Sequence, residues 1–295
     1  MSKLITAARI TRLCSSHSHI IILSASMSTF GEIDRKAGYN HKTYLPLKER
    51  LKEGFKILKD DIKLFAQEKR DQWDCDHRFE FTKTDGDYYY FWKFNGVDSL
   101  DDWVVTTDRD NLEGHSKAKL SLSKNNKALF QGYLSQKVPK DGVISYAGYA
   151  NLRSPLKYKS FGRYQPYDWS MFTHLVLRVR GDGRPFNINV HMERQYNLQW
   201  FDMYSFTLFT RGGPYWQIAK IPFSKFFLAN KGRIQDEQRK IELNLVRTLG
   251  FTLADGYEGP FQLEIDYIGL VYDESHRFQV DFEYETYQTD FITVY

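Results

Sequence analysis

The chain has 295 residues with a formal net charge of +4, and 16% of its residues are aromatic, 22 Phe and 20 Tyr against 8 Pro. So mild a charge gives no electrostatic footing for a nucleic-acid binder, and the aromatic content argues against extensive disorder. Its only cysteines, Cys14 and Cys75, offer no disulfide framework, and no apolar run approaches the ~18 residues that a membrane span needs.

Residues 1–30 read as an address. No acidic residue precedes Glu32, while Lys3, Arg9 and Arg12 are basic and Ser and Thr are frequent. That composition is that of a mitochondrial presequence, whose positive charge an inward-negative potential acts on. A secretory signal is the rival reading, but Ile20, Ile21, Ile22 and Leu23 before Ser24-Ala25-Ser26 make too short an apolar core. With that segment removed Cys75 is left without a partner, and no Asn lies in an N-x-Ser/Thr sequon. Both fit a reducing compartment rather than secretion.

Residues 31–87 read as a helical segment and a linker. Leu47, Leu51, Phe55, Leu58, Ile62 and Phe65 step by three or four, with Lys48, Lys52, Lys56, Lys59 and Lys63 across from them. The spacing predicts an amphipathic helix over 47–65, with Pro46 tolerated at its start. Its stripe either covers the following domain or meets a partner or an anionic membrane surface. Residues 69–87 are polar and mixed in charge, as in a linker.

Residues 88–275 read as one β-sandwich. Period-two alternation places strands near 88–94, 103–107, 118–122, 128–134, 143–151, 174–180, 186–192, 198–207, 215–221, 248–253 and 261–272. In the sixth of these, Leu175, Leu177 and Val179 alternate with His174, Arg178 and Arg180; the turn Gly181-Asp182-Gly183-Arg184-Pro185 then sends the chain into a return strand. Turn signals at Asn95-Gly96, Asn125-Asn126, Asp141-Gly142, Gly212-Gly213-Pro214 and Asp255-Gly256 separate the strands, and one helical interlude is expected over 236–245. In the tail, 276–295, Phe278, Val280, Phe282 and Tyr284 could form one face of an edge strand or of an arm that a partner pairs with.

Four segments resemble the complex I intermediate-associated protein 30 family: FGRYQPYDWSMFTHLVLRVRGDGRPFNINVHM from Phe161, WQIAKIPFSKF from Trp216, LGFTLADGYEGPFQLEIDYI from Leu249 and YFWKFNGVDSLDDWVVTTD from Tyr90. The resemblance covers roughly residues 88–272. It implies a jelly-roll β-sandwich of the galactose-binding type with no established catalytic residues. It also implies a non-catalytic assembly chaperone of respiratory complex I, in the mitochondrial matrix and associated with the inner membrane. Such a protein would bind membrane-arm subunits and other assembly factors. A carbohydrate-binding sandwich module is the alternative.

The chemistry-bearing residues give no enzyme. Gly181 and Gly183 begin a G-x-G, but Phe186 stands where the third glycine should, and a strand follows. Asp108, Asp110 and Glu113 suggest part of a calcium loop, which Leu112 breaks. Asp74, Cys75, Asp76 and His77 are too crowded to wrap one ion, so no metal or cofactor is expected. His191 with Glu193, and Glu264 with Asp266, share strand faces, and a carboxylate pair could in principle hydrolyse a glycosidic bond. No nucleophile elbow accompanies them. The aromatic loops carry more: Tyr164, Tyr167, Trp169, Tyr196, Trp200 and Tyr204, with Arg194, are the expected partner-binding residues, since Trp, Tyr and Arg dominate interface hot spots.

Overall fold

The computed structural model describes residues 38, 46–73, 84–139, 142, 144, 146–193, 202–230 and 232–276, all within the unit Gly38–Tyr295. The expected presequence and, beyond His276, the expected tail lie outside these residues.

Helix α1 spans Leu47–Trp73. It runs two turns past the predicted end, because Ala66, Gln67, Glu68, Lys69 and Arg70 are all strong helix formers and no Gly or Pro interrupts them. Arg70 in the last turn complements the helix dipole.

Fifteen strands follow among the described residues: β1 (Tyr88–Lys93), β2 (Val104–Thr107), β3 (Lys117–Leu122), β4 (Ala128–Leu134), β5 (Ala150–Arg153), β6 (Tyr158–Lys159), β7 (Arg163–Tyr164), β8 (His174–Gly181), β9 (Pro185–Met192), β10 (Asp202–Phe209), β11 (Gln217–Pro222), β12 (Phe227–Asn230), β13 (Arg233–Ile234), β14 (Val246–Leu253) and β15 (Gly259–Val271). One sheet has the order β11-β8-β15-β4-β3 with β1 also on β15, the other β13-β12-β10-β9-β14-β5-β2, and β6 pairs with β7 alone. Every named pairing is antiparallel. The inward faces meet in one core: Leu175, Leu177 and Val179 of β8, with Leu263, Ile265 and Ile268 of β15, face Phe186, Ile188 and Val190 of β9 and Leu249 and Phe251 of β14. This is the mainly-β jelly-roll sandwich, preceded by an amphipathic helix, that the sequence predicts.

Two sequence expectations are corrected. The alternation of β8 is as read, with Arg178 and Arg180 outward, but β9 is not its hairpin partner. The two lie in different sheets, so Gly181–Pro185 is an arch over one end of the sandwich. Gly183, at φ 100°, makes the left-handed step that the arch requires. The predicted helix over 236–245 is extended chain with one 3₁₀ turn, Leu243–Leu245. There the Gln238 side chain binds both the N–H of Leu228 (2.6 Å) and its carbonyl (3.0 Å), replacing a strand neighbour, and Ile241 enters the core. Tertiary partners outweigh the segment's local propensity. The short strands β6, β7, β12 and β13 carry too few residues to show a period.

The outer face of the second sheet carries a ladder of short polar side chains across five strands. Ser205 donates to Asn189 (2.7 Å), Asn189 to Thr252 (2.8 Å), Thr252 to Asn151 (3.0 Å) and Asn151 to Thr106 (3.4 Å).

Candidate binding surfaces

The expected partner-binding aromatics divide. Trp169 is fully buried, stacked on Phe223 at 5.9 Å with edge contacts to Phe91 and Trp92. Tyr204 is 2% exposed, and its hydroxyl donates to the Lys240 carbonyl at 3.1 Å. Both are core side chains and offer no ring to a partner. The largest apolar surfaces gain most from burial, so an aromatic-rich loop at the open end of a sandwich closes it. Tyr167 is half-buried, edge-on to Phe91 and Trp92, and donates to the Pro155 carbonyl at 2.9 Å; burial, with the Asp102 charge adding to it, pushes its hydroxyl pKa up to about 12. Tyr164 is also half-buried, with the Arg247 guanidinium 5.2 Å over its ring. Arg194, Tyr196 and Trp200 lie outside the described residues.

The charged candidates are held by structural partners. Glu264 accepts from Arg180, Ser123 and Asn125, while Asp266 pairs with Arg178 and with Lys127 at 2.6 Å. Each carboxylate faces a guanidinium, so neither is placed as a free base for hydrolysis. Asp108 is fully buried and accepts from the N–H (2.8 Å) and hydroxyl (3.0 Å) of Ser116 and from the N–H of Gly148 (2.8 Å). Asp110 caps Thr107 through both its N–H and its hydroxyl, each at 2.9 Å. The calcium-like segment is thus a loop stapled from within, and no group of three or more His, Cys, Asp or Glu among the described residues could hold a metal ion. Residues 74–77 lie outside the described set. His191 approaches Arg153 Nη2 at 3.2 Å, and burial, reinforced by the Arg153 and Arg247 charges, holds its pKa well below the usual histidine value.

Two exposed surfaces stand out, and the first of them was not singled out from sequence. On the outer face of the first sheet, Trp216 packs beside the guanidinium groups of Arg178 (5.0 Å) and Arg180 (5.3 Å), next in the chain to exposed Tyr215 and two residues from exposed Ile218. Across the same face Tyr88, Tyr90 and Tyr267 cluster, with Lys93 Nζ 3.7 Å over the Tyr90 ring. The Tyr88 hydroxyl comes so close to Gly269 that a Cβ there would lie 2.5 Å from it, so a side chain at that position would push the tyrosine ring aside. The signal was present: Tyr88/Tyr90 and Trp216/Ile218 sit two residues apart and so share one strand face. Beside them an open groove of about 670 Å³ is lined by Lys117, Lys119, Gln131, Tyr133, Asp182 and Gln262.

The second surface is α1. Its C-terminal part meets the sandwich at a short 3₁₀ turn, Ser160–Gly162. The Phe65 ring lies 5.7 Å from that of Phe161, and Glu68 accepts from the Ser160 N–H (2.8 Å), the Ser160 hydroxyl (3.0 Å) and Arg163 Nη2 (2.5 Å). Those bonds, the Ser160 N–H first, hold the Glu68 carboxyl below its usual pKa. Phe161 sits at φ 59°, a left-handed strain of order 1–3 kcal/mol that the helix contact helps to hold. Further back along the helix, Leu51, Phe55, Leu58 and Ile62 are all exposed, Phe55 by 71%. No described helix is long and apolar enough to cross a membrane.

Comparison with known proteins supplies what the geometry alone does not. The profile of the complex I intermediate-associated protein 30 family matches residues 92–265. The mitochondrial complex I intermediate-associated protein 30 of Drosophila melanogaster is 48% identical over 264 residues, 88% of this chain and 88% of that one. Its namesake in Mus musculus is 46% identical over 195 residues, 66% of this chain and 58% of that one, and the probable Caenorhabditis elegans form is 43% identical over 197 residues, 66% and 57%. Among solved structures, a family 11 carbohydrate-binding module from Clostridium thermocellum, in complex with a mixed-linked tetrasaccharide, aligns with a TM-score of 0.43 at 15% identity, covering 65% of this chain and 98% of that one. The sandwich, the matched span and the identity carried through it agree, and this chain belongs to the complex I intermediate-associated protein 30 family.

Proposed function

We propose that this protein is an assembly chaperone of mitochondrial respiratory complex I, which binds and stabilises a membrane-arm intermediate without turning anything over. The observation that carries the reading is the 48% identity over 88% of the chain with a relative named as a mitochondrial complex I intermediate-associated protein. Binding rather than catalysis is supported by the carboxylates Glu264 and Asp266, whose charges are taken up by Arg180 and Arg178. Its partners would be membrane-arm subunits and other assembly factors. The basic, acid-free N-terminus supports import into the matrix, with attachment to the inner membrane peripheral or through those partners. Contact with partners would use the aromatic and arginine surfaces: the Trp216 face of the first sheet, Tyr164 and Tyr167 at the sandwich end, and Arg194, Tyr196 and Trp200.

The test is a native gel of respiratory complexes from cells lacking the protein, with add-back of the full-length chain or of a chain starting at Met27. Loss of complex I with accumulated membrane-arm fragments, reversed by the full-length chain alone, is the expected result. Normal complex I in the deficient cells would overturn the reading.

A further inference from the structure

The exposed stripe of α1 has no counterpart in the sandwich. At about 100° per residue, Leu51, Phe55, Leu58 and Ile62 fall within about 60° of one another. They extend for about 16 Å at about 1.5 Å per residue. All four are more than 40% exposed. Phe65 continues the stripe by one further turn, and there it is covered, by Phe161 of the sandwich. The apolar line therefore enters an interface at one end and leaves it bare at the other. Glu68 fixes how it leaves, because its bonds to Ser160 and Arg163 set the rotation of the helix about its own axis.

The charges beside the stripe are one-sided. Lys48, Lys52, Lys56, Lys59 and Lys63 form a ridge within about 80° along one flank, counted at about 100° per residue. The other flank carries the positions of Arg50 and Asp61, opposite in sign, with Glu68 about two turns past Asp61; Asp60 and Asp71 lie at the back. None of those five lysines has a carboxylate partner among the described residues. A helix lying on an anionic bilayer presses both flanks toward lipid phosphates, where Asp61 would be repelled. A groove in a protein can instead be acidic along one wall and neutral along the other.

We infer that α1 is a docking helix whose Leu51-Phe55-Leu58-Ile62 stripe seats in an apolar groove of a partner protein, with carboxylates on the wall that meets the lysine ridge. This rests on the assembly reading above, since the groove would belong to a complex I intermediate or a co-chaperone. The sandwich then holds the helix at a set angle, and the stripe and ridge select the partner by shape and charge.

The test uses full-length protein returned to cells that lack it. One variant carries Leu51→Gln, Phe55→Gln, Leu58→Gln and Ile62→Gln, since glutamine keeps helix propensity. A second carries Lys52→Glu, Lys56→Glu, Lys59→Glu and Lys63→Glu, with the four Lys→Arg changes as its control. A photo-crosslinking residue at position 58 of otherwise unaltered protein reads the contact directly. The expected result is co-migration with the intermediate reduced about tenfold or more in the Gln and Glu variants and kept in the Arg control, a difference of about 1.4 kcal/mol or more. The sandwich should melt at an unchanged temperature in all of them. The crosslink should fall on a complex I subunit or assembly factor, in a peptide carrying Asp or Glu. Wild-type protein restoring complex I while the Gln variant does so equally would overturn the docking inference and leave the assembly role standing. Failure of the wild-type protein itself would overturn the assembly role, and the inference with it. Vesicles of phosphatidylcholine with one-fifth anionic lipid provide the remaining arm. Flotation of the wild type but not of the Gln variant, with no protein crosslink, would make the occupant a membrane and overturn the groove.

Discussion

Removing the Arg184 side chain should loosen one whole end of the sandwich. Arg184 lies in the arch between β8 and β9, and its guanidinium grips the neighbouring arch between β14 and β15. Nε donates to Asp255 Oδ2 at 2.8 Å and Nη2 to Oδ1 at 2.5 Å, while Nη1 and Nη2 also reach the carbonyls of Pro260 (3.0 Å) and Tyr257 (2.6 Å). The Arg184 carbonyl accepts from Thr210 at 2.8 Å, so the arch between β10 and β11 is joined as well. Both charged side chains are only 11% exposed. Breaking a buried ion pair by deleting one partner costs about 3–5 kcal/mol, and this slight exposure places Arg184→Ala at the lower end, about 3 kcal/mol. For a sandwich of this size about 2–4 °C is lost per kcal/mol, so the melting temperature should fall by about 6–12 °C. Arg184→Lys should recover less than half, because an ammonium cannot make the paired contact. A cycle with Asp255→Asn should show coupling of about 1.5–3 kcal/mol. The pH dependence has a definite sign. Burial alone would raise the Asp255 pKa, but the Arg184 and Tyr257 bonds outweigh it and hold it below the usual carboxylate value. Stability from the pair is therefore complete above the unfolded value of about 3.9 and is lost as the pH falls through the lower folded value. Thermal melting followed by tryptophan fluorescence measures the temperature shift, and urea unfolding of the same proteins at several pH values measures the free energies. An Arg184→Ala protein melting within about 2 °C of the wild type would refute the reasoning.

Trp169→Ala and Tyr204→Ala should each cost about 3–5 kcal/mol and lower soluble yield, whereas Tyr204→Phe, which loses only the bond to the Lys240 carbonyl, should cost about 1 kcal/mol; thermal melting distinguishes this from a surface role, in which stability would not change. Asp108→Ala strands the Ser116 and Gly148 donors and should cost about 3–5 kcal/mol, and neither calcium nor a chelator should shift the melting temperature of the wild type by more than about 1 °C. His191, neutral in the fold, makes stability fall as the pH drops below the unfolded histidine value of about 6.5, because the unfolded chain takes up a proton there that the folded one refuses. The denaturation midpoint should decline between about pH 7 and 5, and His191→Gln should flatten that slope.

How much of this was legible follows from what each signal encodes. The period-two runs of β8 and β9 reported which side chains face inward, because the pleat alone decides that, whereas in β15 the period breaks at the bulge between Ile265 and Tyr267. They could not report which strand pairs with which. Gly181–Pro185 reads the same whether it closes a hairpin or carries the chain across to the opposite sheet, and only the pairing of β8 with β15 and β11 separates the two. The same limit governs the aromatic loops. Trp169 and Trp216 look alike in sequence; one fills the core and the other lies over two arginines on the outer face, and the difference is made by strands distant in the chain. The stripe of α1 was legible because a helix carries its own geometry, although the anchoring of its end by Glu68 depends on a turn about ninety residues away.

The polar ladder of the second sheet has a direction. From Ser205 to Thr106 every rung donates toward β2, so each Asn and Thr between the ends passes on the polarity it receives. Turning one amide over would set donor against donor at its neighbour, and the whole row would have to reverse with it. Aligned in this way, the bonds polarise one another, and the row behaves as a single unit. It also works as a lock on assembly of the sheet. Its members come from sequence positions as far apart as Thr106 and Thr252, and a slip of any one strand by a single residue would turn its rung into the apolar interior. The row closes completely only when five strands lie in one alignment, so a sheet with any of them slipped forfeits its rungs.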